Sequence, residues 1–308
     1  MGKPAMVPSK STVFSDSSGE CTPLTAWFSP ASLLPAATGP SADQPLHVGD
    51  PASAYLADIA AAGPLSCAGY SRRGSTHDVN QDMFLLRPEV GLFALADGIS
   101  GLPHGEVAAR LAVSSACSYL QTQLAALPAP DELPRVQIQR MLADAVAFAD
   151  FSVRDAAEER RLPMGCTLDL ALVRGDAAFL AHVGDARIYR FHAGRLTLLT
   201  RDHTMAAELA DAVGPAGQAA MARGLTHVLC NAIGCHEQPL PALGIVELGA
   251  GDRLLLCTDG VHGELTLSTM QDLLGAPAAM AAWALIRQVG KQRGGDDATA
   301  VVIARRGG

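Results

Sequence analysis

The chain has 308 residues, of which 49% are hydrophobic, and its formal net charge is −8 at pH 7. This length suits one domain with a tail or two small domains, and the apolar content is sufficient for a large core. The acidic balance, with no basic cluster longer than a pair such as Arg72-Arg73, argues against nucleic acid or an anionic membrane as a partner. Because no run of about 18 uncharged apolar residues occurs, we expect no membrane span. Seven scattered cysteines without a Cys-x-x-Cys pair are typical of reduced thiols in a cytoplasmic protein.

The N-terminal fifth of the chain differs in composition from the rest. Residues 1–63 are rich in proline, serine and alanine and show little apolar periodicity. Such a segment buries too little apolar surface to offset the entropy lost on ordering. We therefore predict a disordered tail over residues 1–63, with a short helix near Ala54–Ala62, and a folded domain over residues 64–306.

Strand and helix patterns follow one another from Leu65 onward. In chain order the predicted elements are strands at 66–70, 83–86 and 92–96, a helix from about residue 105, a helix over 138–156, strands at 167–174, 177–183, 187–192 and 196–199, a mixed and partly helical region over 202–241, strands at 243–248 and 253–257, a helix over 277–292 and a strand at 298–304. The turns between residues 167 and 199 are too short for crossover helices, which predicts an antiparallel meander. Strands in runs and helices in runs predict an α+β architecture with helices covering antiparallel sheets.

Aspartates beside glycines mark the ends of several predicted strands. Three apolar runs lead into Asp97-Gly98, Gly184-Asp185 and Asp259-Gly260, and a reversed copy, Gly295-Asp296, leads into the last strand. A single Asp-Gly pair is most often a hairpin turn. Four such pairs next to buried strands instead indicate carboxylates gathered at one rim, where they repel one another unless a cation lies among them. Oxygen-only ligation selects hard ions such as Mg²⁺ or Mn²⁺.

A series of short motifs carries a family resemblance over residues 66–304. The motifs are Asn80-Gln81-Asp82, Asp97-Gly98-Ile99-Ser100-Gly101, Met164-Gly165-Cys166-Thr167, Val183-Gly184-Asp185-Ala186-Arg187, Arg201-Asp202-His203-Thr204, Asn231-Ala232-Ile233-Gly234, Thr258-Asp259-Gly260 and Asp296-Asp297-Ala298-Thr299. In this order they resemble the metal-dependent Ser/Thr protein phosphatases of the 2C type (the PPM family), and in particular the compact bacterial members. The resemblance implies a central sandwich of two antiparallel β-sheets flanked by pairs of helices, with the metal site at one end.

The resemblance also implies a set of ligands and a reaction. Asp97 would bridge two ions of Mn²⁺ or Mg²⁺ and the Gly98 carbonyl would bind one of them, while Asp259 and Asp296 would hold the other. Asp185 and Asp259 would form a third, weaker site. Asp82 would act behind these ligands or through a bound water. The implied activity is hydrolysis of phosphoserine and phosphothreonine in a protein substrate by a water that the metal activates, opposing a Ser/Thr kinase, in a monomer.

Four positions depart from the family pattern. His77 stands in place of the usual arginine that binds the substrate phosphate, so we predict a phosphate contact from His77, with Arg73 or Arg72 as substitutes. Gln81 replaces a glutamate, Ile99 stands where eukaryotic members have a general-acid histidine, and Asp297 replaces an asparagine. His77 and Gln81 keep open the alternative of a pseudophosphatase that binds phosphoproteins without turnover. The fold resemblance alone also does not exclude a hydrolase of small phosphoesters.

Four other histidines have predicted roles that follow from their neighbours in the sequence. His203 is predicted to serve a loop or helix cap rather than catalysis, and His182, within an apolar strand, is predicted to be a core histidine with its hydrogen bonds satisfied. His262 and His104 are weaker candidates for the rim of the metal site. Residues 203–230 correspond to a variable flap in the family and are predicted to shape substrate choice.

Overall fold

The computed structural model describes residues 55–127, 133–210, 225–235, 238–292 and 294–307. Within these ranges the strands form two antiparallel sheets. The first sheet contains β1 (Tyr55–Ala62), β2 (Leu65–Arg72), β7 (Arg187–His192), β8 (Arg195–Leu198), β10 (Arg253–Cys257) and β11 (Ala298–Arg305), in the order β1-β2-β11-β10-β7-β8. The second contains β3 (Asp82–Arg87), β4 (Leu92–Asp97), β5 (Leu168–Arg174), β6 (Ala177–Val183) and β9 (Ala242–Glu247), in the order β3-β4-β5-β6-β9.

Helices cover the outer face of each sheet. The described helices are α1 (Gly105–Ala125), α2 (Arg135–Arg160), α3 (Asp259–His262), α4 (Leu267–Leu273) and α5 (Ala278–Val289), besides a short 3₁₀ turn at Pro88–Val90. The long pair α1 and α2 packs on the second sheet, and the shorter helices pack on the first. A third core, which includes Phe93, Leu180 and Leu254, lies between the two sheets. The four layers confirm the predicted α+β sandwich of two antiparallel sheets flanked by helices.

The apolar spacing of α2 explains its burial. Ile138, Leu142, Ala145, Ala149 and Val153 recur every three to four residues, and all are buried. This spacing places them on one stripe of the helix, which packs into the same core as α1 and the second sheet. The predicted helix over 138–156 is therefore confirmed, and Pro163 lies just beyond its end at Arg160.

The strand register brings the ends of several strands to one edge of the sandwich. Asp82, the first residue of β3, lies opposite Asp97, the last residue of β4. In the other sheet Cys257 pairs with Ala300 and with Arg187, so the segments after β10, before β11 and before β7 meet. The Asp-Gly pairs of the sequence lie in these segments.

The predicted helix near 54–62 is wrong. Residues 55–62 form β1, which pairs with β2 along its whole length, from Tyr55 opposite Arg72 to Ala62 opposite Leu65. Alanine favours helices in isolation, but the edge of β2 offers a ladder of backbone hydrogen bonds that an isolated helix cannot match. The sheet therefore begins before the predicted domain start at residue 64. The rest of the tail predicted over residues 1–63 lies outside the described residues.

The prediction for residues 202–241 can be followed only in part, because residues 211–224, 236 and 237 lie outside the described ranges. Residues 205–210 are helical, and an isolated bridge joins Thr204 to Leu229. Helices α3 and α4 were not predicted, since each is too short to show a clear apolar period. In the part of the chain that is described, no helix is long and apolar enough to cross a membrane.

Candidate metal centre

One pocket of about 250 Å³ collects the predicted metal ligands. It is lined by Asp97, Gly98, Asp185, Asp259 and Asp296. These residues come from both sheets, yet their strands all end at the same edge of the sandwich. The sequence placed an aspartate at each strand end, and the antiparallel register makes those ends converge.

Asp97 is held at the end of β4 by a reciprocal pair of hydrogen bonds with Thr167. The Asp97 amide donates to Thr167 Oγ1 (2.9 Å), and the Thr167 amide donates to the Asp97 carbonyl (2.8 Å). The following residue, Gly98, lies so close to the start of α1 that a Cβ would come within 2.6 Å of the Gly105 backbone. Burial, then the charges of Asp82 and Asp259, raise the pKa of Asp97 well above its usual value. An uncompensated carboxylate is therefore unfavourable at this position.

Asp82 lies behind Asp97 and is buried. Its Oδ2 accepts hydrogen bonds from the hydroxyls of Thr258 (3.0 Å) and Thr299 (2.6 Å), whereas its Oδ1 is buried with no hydrogen-bond partner among the described atoms. Burial, then the charge of Asp297, raise the pKa of Asp82 well above the ordinary carboxyl value. A buried carboxylate oxygen without a partner is costly, and a cation or a coordinated water would satisfy it.

Asp185 and Asp259 form the second half of the pocket. Burial, then the neighbouring Asp259, raise the pKa of Asp185 to about 7, and burial, then Asp296, raise the pKa of Asp259. Asp259 is the first residue of α3, and a Cβ at the next residue, Gly260, would collide with the Asp297 carbonyl oxygen. Gly260 is thus required because two loops approach closely at this point, and Asp259 supplies the carboxylate.

The donor set of the pocket fits divalent cations. Burial is the first cause of the raised pKa of Asp97, Asp185 and Asp259, and one oxygen of the supporting Asp82 lacks a partner. Hard ions with oxygen ligands would neutralise this charge. The residues present are therefore suited to Mg²⁺ or Mn²⁺.

His227 is a member of the pocket that sequence reasoning missed. Its Nδ1 lies 3.7 Å from Asp259 Oδ2, and its side chain is 81% exposed. No motif surrounds Thr226-His227, and nothing in the sequence relates residue 227 to residues 185 and 259. Only the path of the chain across the pocket reveals it.

The predicted phosphate contacts, His77 and Arg73, are not among the residues that line the pocket. His77 Nδ1 lies 2.9 Å from Asp297 Oδ2 and 3.7 Å from Asp296 Oδ1. Asp297 Oδ2 also accepts the Gln81 amide (2.7 Å). Two of the departures from the family pattern, His77 and Asp297, thus pair with each other. Arg73 Nη1 donates to the Asp78 carbonyl (2.5 Å), so it ties its own loop, and a phosphate role for either residue stays a prediction.

His182 and His203 have the structural roles predicted for them. His182 is buried, with Nδ1 at 2.6 Å from Asp169 and Nε2 at 3.0 Å from the Arg201 carbonyl, so its hydrogen bonds are satisfied. His203 Nδ1 accepts from the Gly184 amide (3.2 Å), which ties its loop to the one that carries Asp185.

His262 and His104 occupy different surroundings. His262 Nε2 donates to the backbone carbonyl of Asp185 (3.0 Å), so it holds this aspartate in place from behind. His104 precedes α1 in a left-handed conformation and is half-exposed, with Nδ1 at 3.4 Å from Glu106. Neither is among the residues that line the metal pocket.

A larger cleft of about 440 Å³ continues from the metal pocket. It shares Asp185, His227 and Asp259 with that pocket, and its remaining wall includes Ala206, Ala207 and Ala210. Arg187 also lines the cleft and pairs through two nitrogens with Asp202, at 2.8 and 2.7 Å, so this charge is neutralised. The cleft therefore offers small side chains and open space beside the carboxylates.

The fold and the site together define a class, the two-sheet phosphatases with an acidic metal pocket at one end of the sandwich. The chain matches the protein phosphatase 2C family over residues 68–293, and it belongs to that family. The predicted resemblance to metal-dependent Ser/Thr phosphatases of the 2C type is confirmed.

Several known proteins are similar to this chain. The Ser/Thr protein phosphatase PstP of Mycobacterium tuberculosis is 30% identical over 244 residues, which are 78% of this chain and 45% of PstP. The chain thus spans less than half the length of that relative. The protein phosphatase PhpP of Streptococcus pneumoniae is 25% identical over 244 residues, which are 78% of this chain and 95% of PhpP.

Solved structures share the fold. A crystal structure of M. tuberculosis PstP superposes with a TM-score of 0.68 at 31% identity, covering 79% of this chain and 99% of that one. The catalytic domain of PstP in complex with two manganese ions gives a TM-score of 0.66 at 31% identity, over 79% of this chain and 99% of that one. PppA, a regulatory component of the type VI secretion system in Pseudomonas aeruginosa, gives 0.66 at 30% identity, over 79% of this chain and 98% of that one.

Proposed function

We propose that this protein is a metal-dependent phosphoprotein phosphatase that hydrolyses phosphoserine and phosphothreonine. The observation that carries the proposal is the convergence of Asp97, Asp185, Asp259 and Asp296 on one pocket. Membership of the protein phosphatase 2C family and the likeness to PstP, whose catalytic domain binds two manganese ions, support it.

Each carboxylate has a proposed place. Asp97 and the Gly98 carbonyl would hold one ion, Asp259 and Asp296 with Asp97 would hold a second, and Asp185 with Asp259 would hold a third. When bound, Mn²⁺ or Mg²⁺ neutralises phosphate charge and lowers the pKa of a water so that it can attack phosphorus. Asp82, oriented by two threonine hydroxyls, would lie behind Asp97, where its Oδ1 is available to a coordinated water.

The adjoining cleft favours a protein over a small phosphoester as the substrate. A metal pocket of about 250 Å³ is sufficient for a phosphate, whereas the further 440 Å³ has room for the residues on either side of the phosphorylated one. A phosphoserine or phosphothreonine substrate requires a Ser/Thr kinase to make it, so we propose that this phosphatase opposes such a kinase. Because all the proposed ligands come from one chain, we propose that a monomer is active.

A cytoplasmic location is proposed from the cysteines. Six cysteines in the described residues are free thiols, and four of them are buried. Buried thiols of this kind are typical of a reducing compartment, where disulfides are rare.

The pseudophosphatase alternative is less well supported. It rests on His77 and Gln81, which replace residues that contact the phosphate and a metal-bound water in the family pattern. Both lie outside the lining of the pocket, and each carboxylate proposed as a direct ligand is present. Loss of a direct ligand would be expected if turnover had been abandoned.

Phosphate release tests the proposal. The full chain is freed of metal with a chelator and assayed on a phosphothreonine peptide and on p-nitrophenyl phosphate, without metal and with Mn²⁺ or Mg²⁺. We expect release only when metal is returned. Peptide binding without release under all conditions would identify a pseudophosphatase, and turnover of the small ester alone would identify a small-molecule hydrolase.

A further inference from the structure

We propose that His227 supplies a nitrogen ligand to the cation that Asp185 and Asp259 hold, so that this position prefers a transition ion such as Mn²⁺ or Co²⁺ to Mg²⁺. The inference rests on the proposed function only in taking the pocket to be a metal site. It adds a ligand, and a selectivity, that the strand-end carboxylates alone do not provide.

The geometry of the three side chains suits one ion. Asp185, His227 and Asp259 each offer a ligand atom, and these atoms all lie within 4.8 Å of one another. His227 Nδ1 is 3.7 Å from Asp259 Oδ2. Nitrogen and oxygen ligands at about 2.0–2.2 Å from a single ion are themselves roughly 3–4 Å apart. Small side-chain rotations are therefore sufficient to bring all three atoms onto one cation.

His227 is presented to the pocket by an anchored turn. The Val228 amide donates to the Leu225 carbonyl (3.3 Å), which closes the turn. The Met205 amide donates to the Val228 carbonyl (2.8 Å), and the Ala206 amide donates to the Leu225 carbonyl (3.2 Å). Both ends of the turn are thus tied to the chain that follows Asp202, so the position of the His227 backbone is set while its exposed ring can rotate toward the carboxylates.

The backbone that carries the two carboxylates opposite His227 is also held. His262 Nε2 donates to the Asp185 carbonyl (3.0 Å), and the Gly263 amide donates to the Asp259 carbonyl (2.7 Å). Arg187 and Asp202, which line the adjoining cleft, pair with each other, so that neither competes for these carboxylates. Two carboxylates on anchored backbone therefore face an exposed imidazole, and only side-chain rotations are needed to bring the three groups onto one ion.

The chemistry of the imidazole sets the selectivity. Mg²⁺ prefers oxygen ligands and retains its waters, whereas first-row transition ions accept imidazole nitrogen, with an affinity that rises from Mn²⁺ to Co²⁺. His227→Gln removes the nitrogen and leaves an amide oxygen of similar reach. We expect it to weaken one Mn²⁺ or Co²⁺ site by roughly tenfold or more, by comparison with changes around other metal ligands, and to leave Mg²⁺ affinity nearly unchanged.

The test measures the metal directly in the full-length protein. Metal-stripped wild type, His227→Gln and a control, His192→Gln, are titrated with Mn²⁺ and with Mg²⁺ by calorimetry, and the Mn²⁺ forms are examined by electron spin echo spectroscopy for modulation from an imidazole nitrogen. His192 is an exposed histidine that pairs with Asp252 and lines neither the metal pocket nor the adjoining cleft. We expect nitrogen modulation in wild type and in the control, and its loss with the weaker Mn²⁺ site in His227→Gln.

Unchanged modulation in His227→Gln, its absence from wild type, or an equal loss of Mg²⁺ affinity would overturn the assignment. Because His227 is exposed, its replacement leaves the core intact, and circular dichroism verifies the fold. Phosphate release by the same Mn²⁺-loaded samples separates the two proposals. Turnover without nitrogen modulation refutes the role of His227 alone, and nitrogen modulation without turnover refutes the phosphatase activity alone.

Discussion

Removing the charge of Asp185 should stabilise the metal-free protein at neutral pH, although it weakens cation binding. Burial, then the nearby Asp259 and Asp202, raise the pKa of Asp185 from 3.8 to about 7. A raised carboxyl pKa means that the native state binds the proton more tightly than the unfolded chain does, so ionisation disfavours folding. Asp185→Asn has nearly the same shape and carries no charge at any pH.

The magnitude follows from the two pKa values. The interval from 3.8 to about 7 corresponds to about 4 kcal/mol of unfolding free energy once both states are ionised. Since the carboxyl lines a pocket, which lessens the cost of burying its charge, we expect a gain of roughly 2–4 kcal/mol for Asp185→Asn above pH 7. Below pH 3.8 the wild-type carboxyl is protonated in both states and the gain vanishes. Between these values the gain grows as the pH rises.

Urea unfolding in the presence of a chelator, followed by far-ultraviolet circular dichroism from about pH 4 to about pH 8, measures this difference. Asp155→Asn, an exposed position on α2, is the matched control and should show no pH-dependent gain. Saturating Mn²⁺ should reverse the order, because it stabilises the wild type more than the variant. A metal-free variant that is less stable than wild type above pH 7, or a gain that is the same at both ends of the pH range, would refute the reasoning.

Three further changes test the site and the boundary. Asp259→Asn should keep the fold and reduce Mn²⁺-dependent phosphate release by about 100-fold or more, because this carboxylate is a proposed ligand of two ions. Near-normal release would contradict that role. Ala207→Leu narrows the 440 Å³ cleft and should raise KM for a phosphopeptide while turnover of p-nitrophenyl phosphate stays unchanged; an equal effect on both substrates would count against a peptide cleft. A chain starting at Gly63 lacks β1, so its free energy of unfolding in urea should be lower than that of a chain starting at residue 54 by about 2 kcal/mol or more. Equal values would show that β1 contributes nothing.

Sequence patterns predicted most of the elements because those patterns are local. The three-to-four spacing of α2 and the apolar runs of the strands each follow from burial of one face, which neighbouring residues report. The failure at residues 55–62 has the opposite cause. On its own, an alanine-rich segment favours a helix. It forms a strand here because its partner, β2, offers an unpaired edge.

The candidate site divides in the same way. Asp97, Asp185, Asp259 and Asp296 could be proposed from the sequence, because a carboxylate beside glycine at a strand end is a local signal. The pairing of His77 with Asp297, which are 220 residues apart, could not be read there, nor could the approach of His227 to Asp259. Such contacts depend on strand order, register and loop path, since these bring residues together that no short window of sequence relates. The sequence alone therefore determined which carboxylates stand at strand ends, and the tertiary structure decided which side chains meet them.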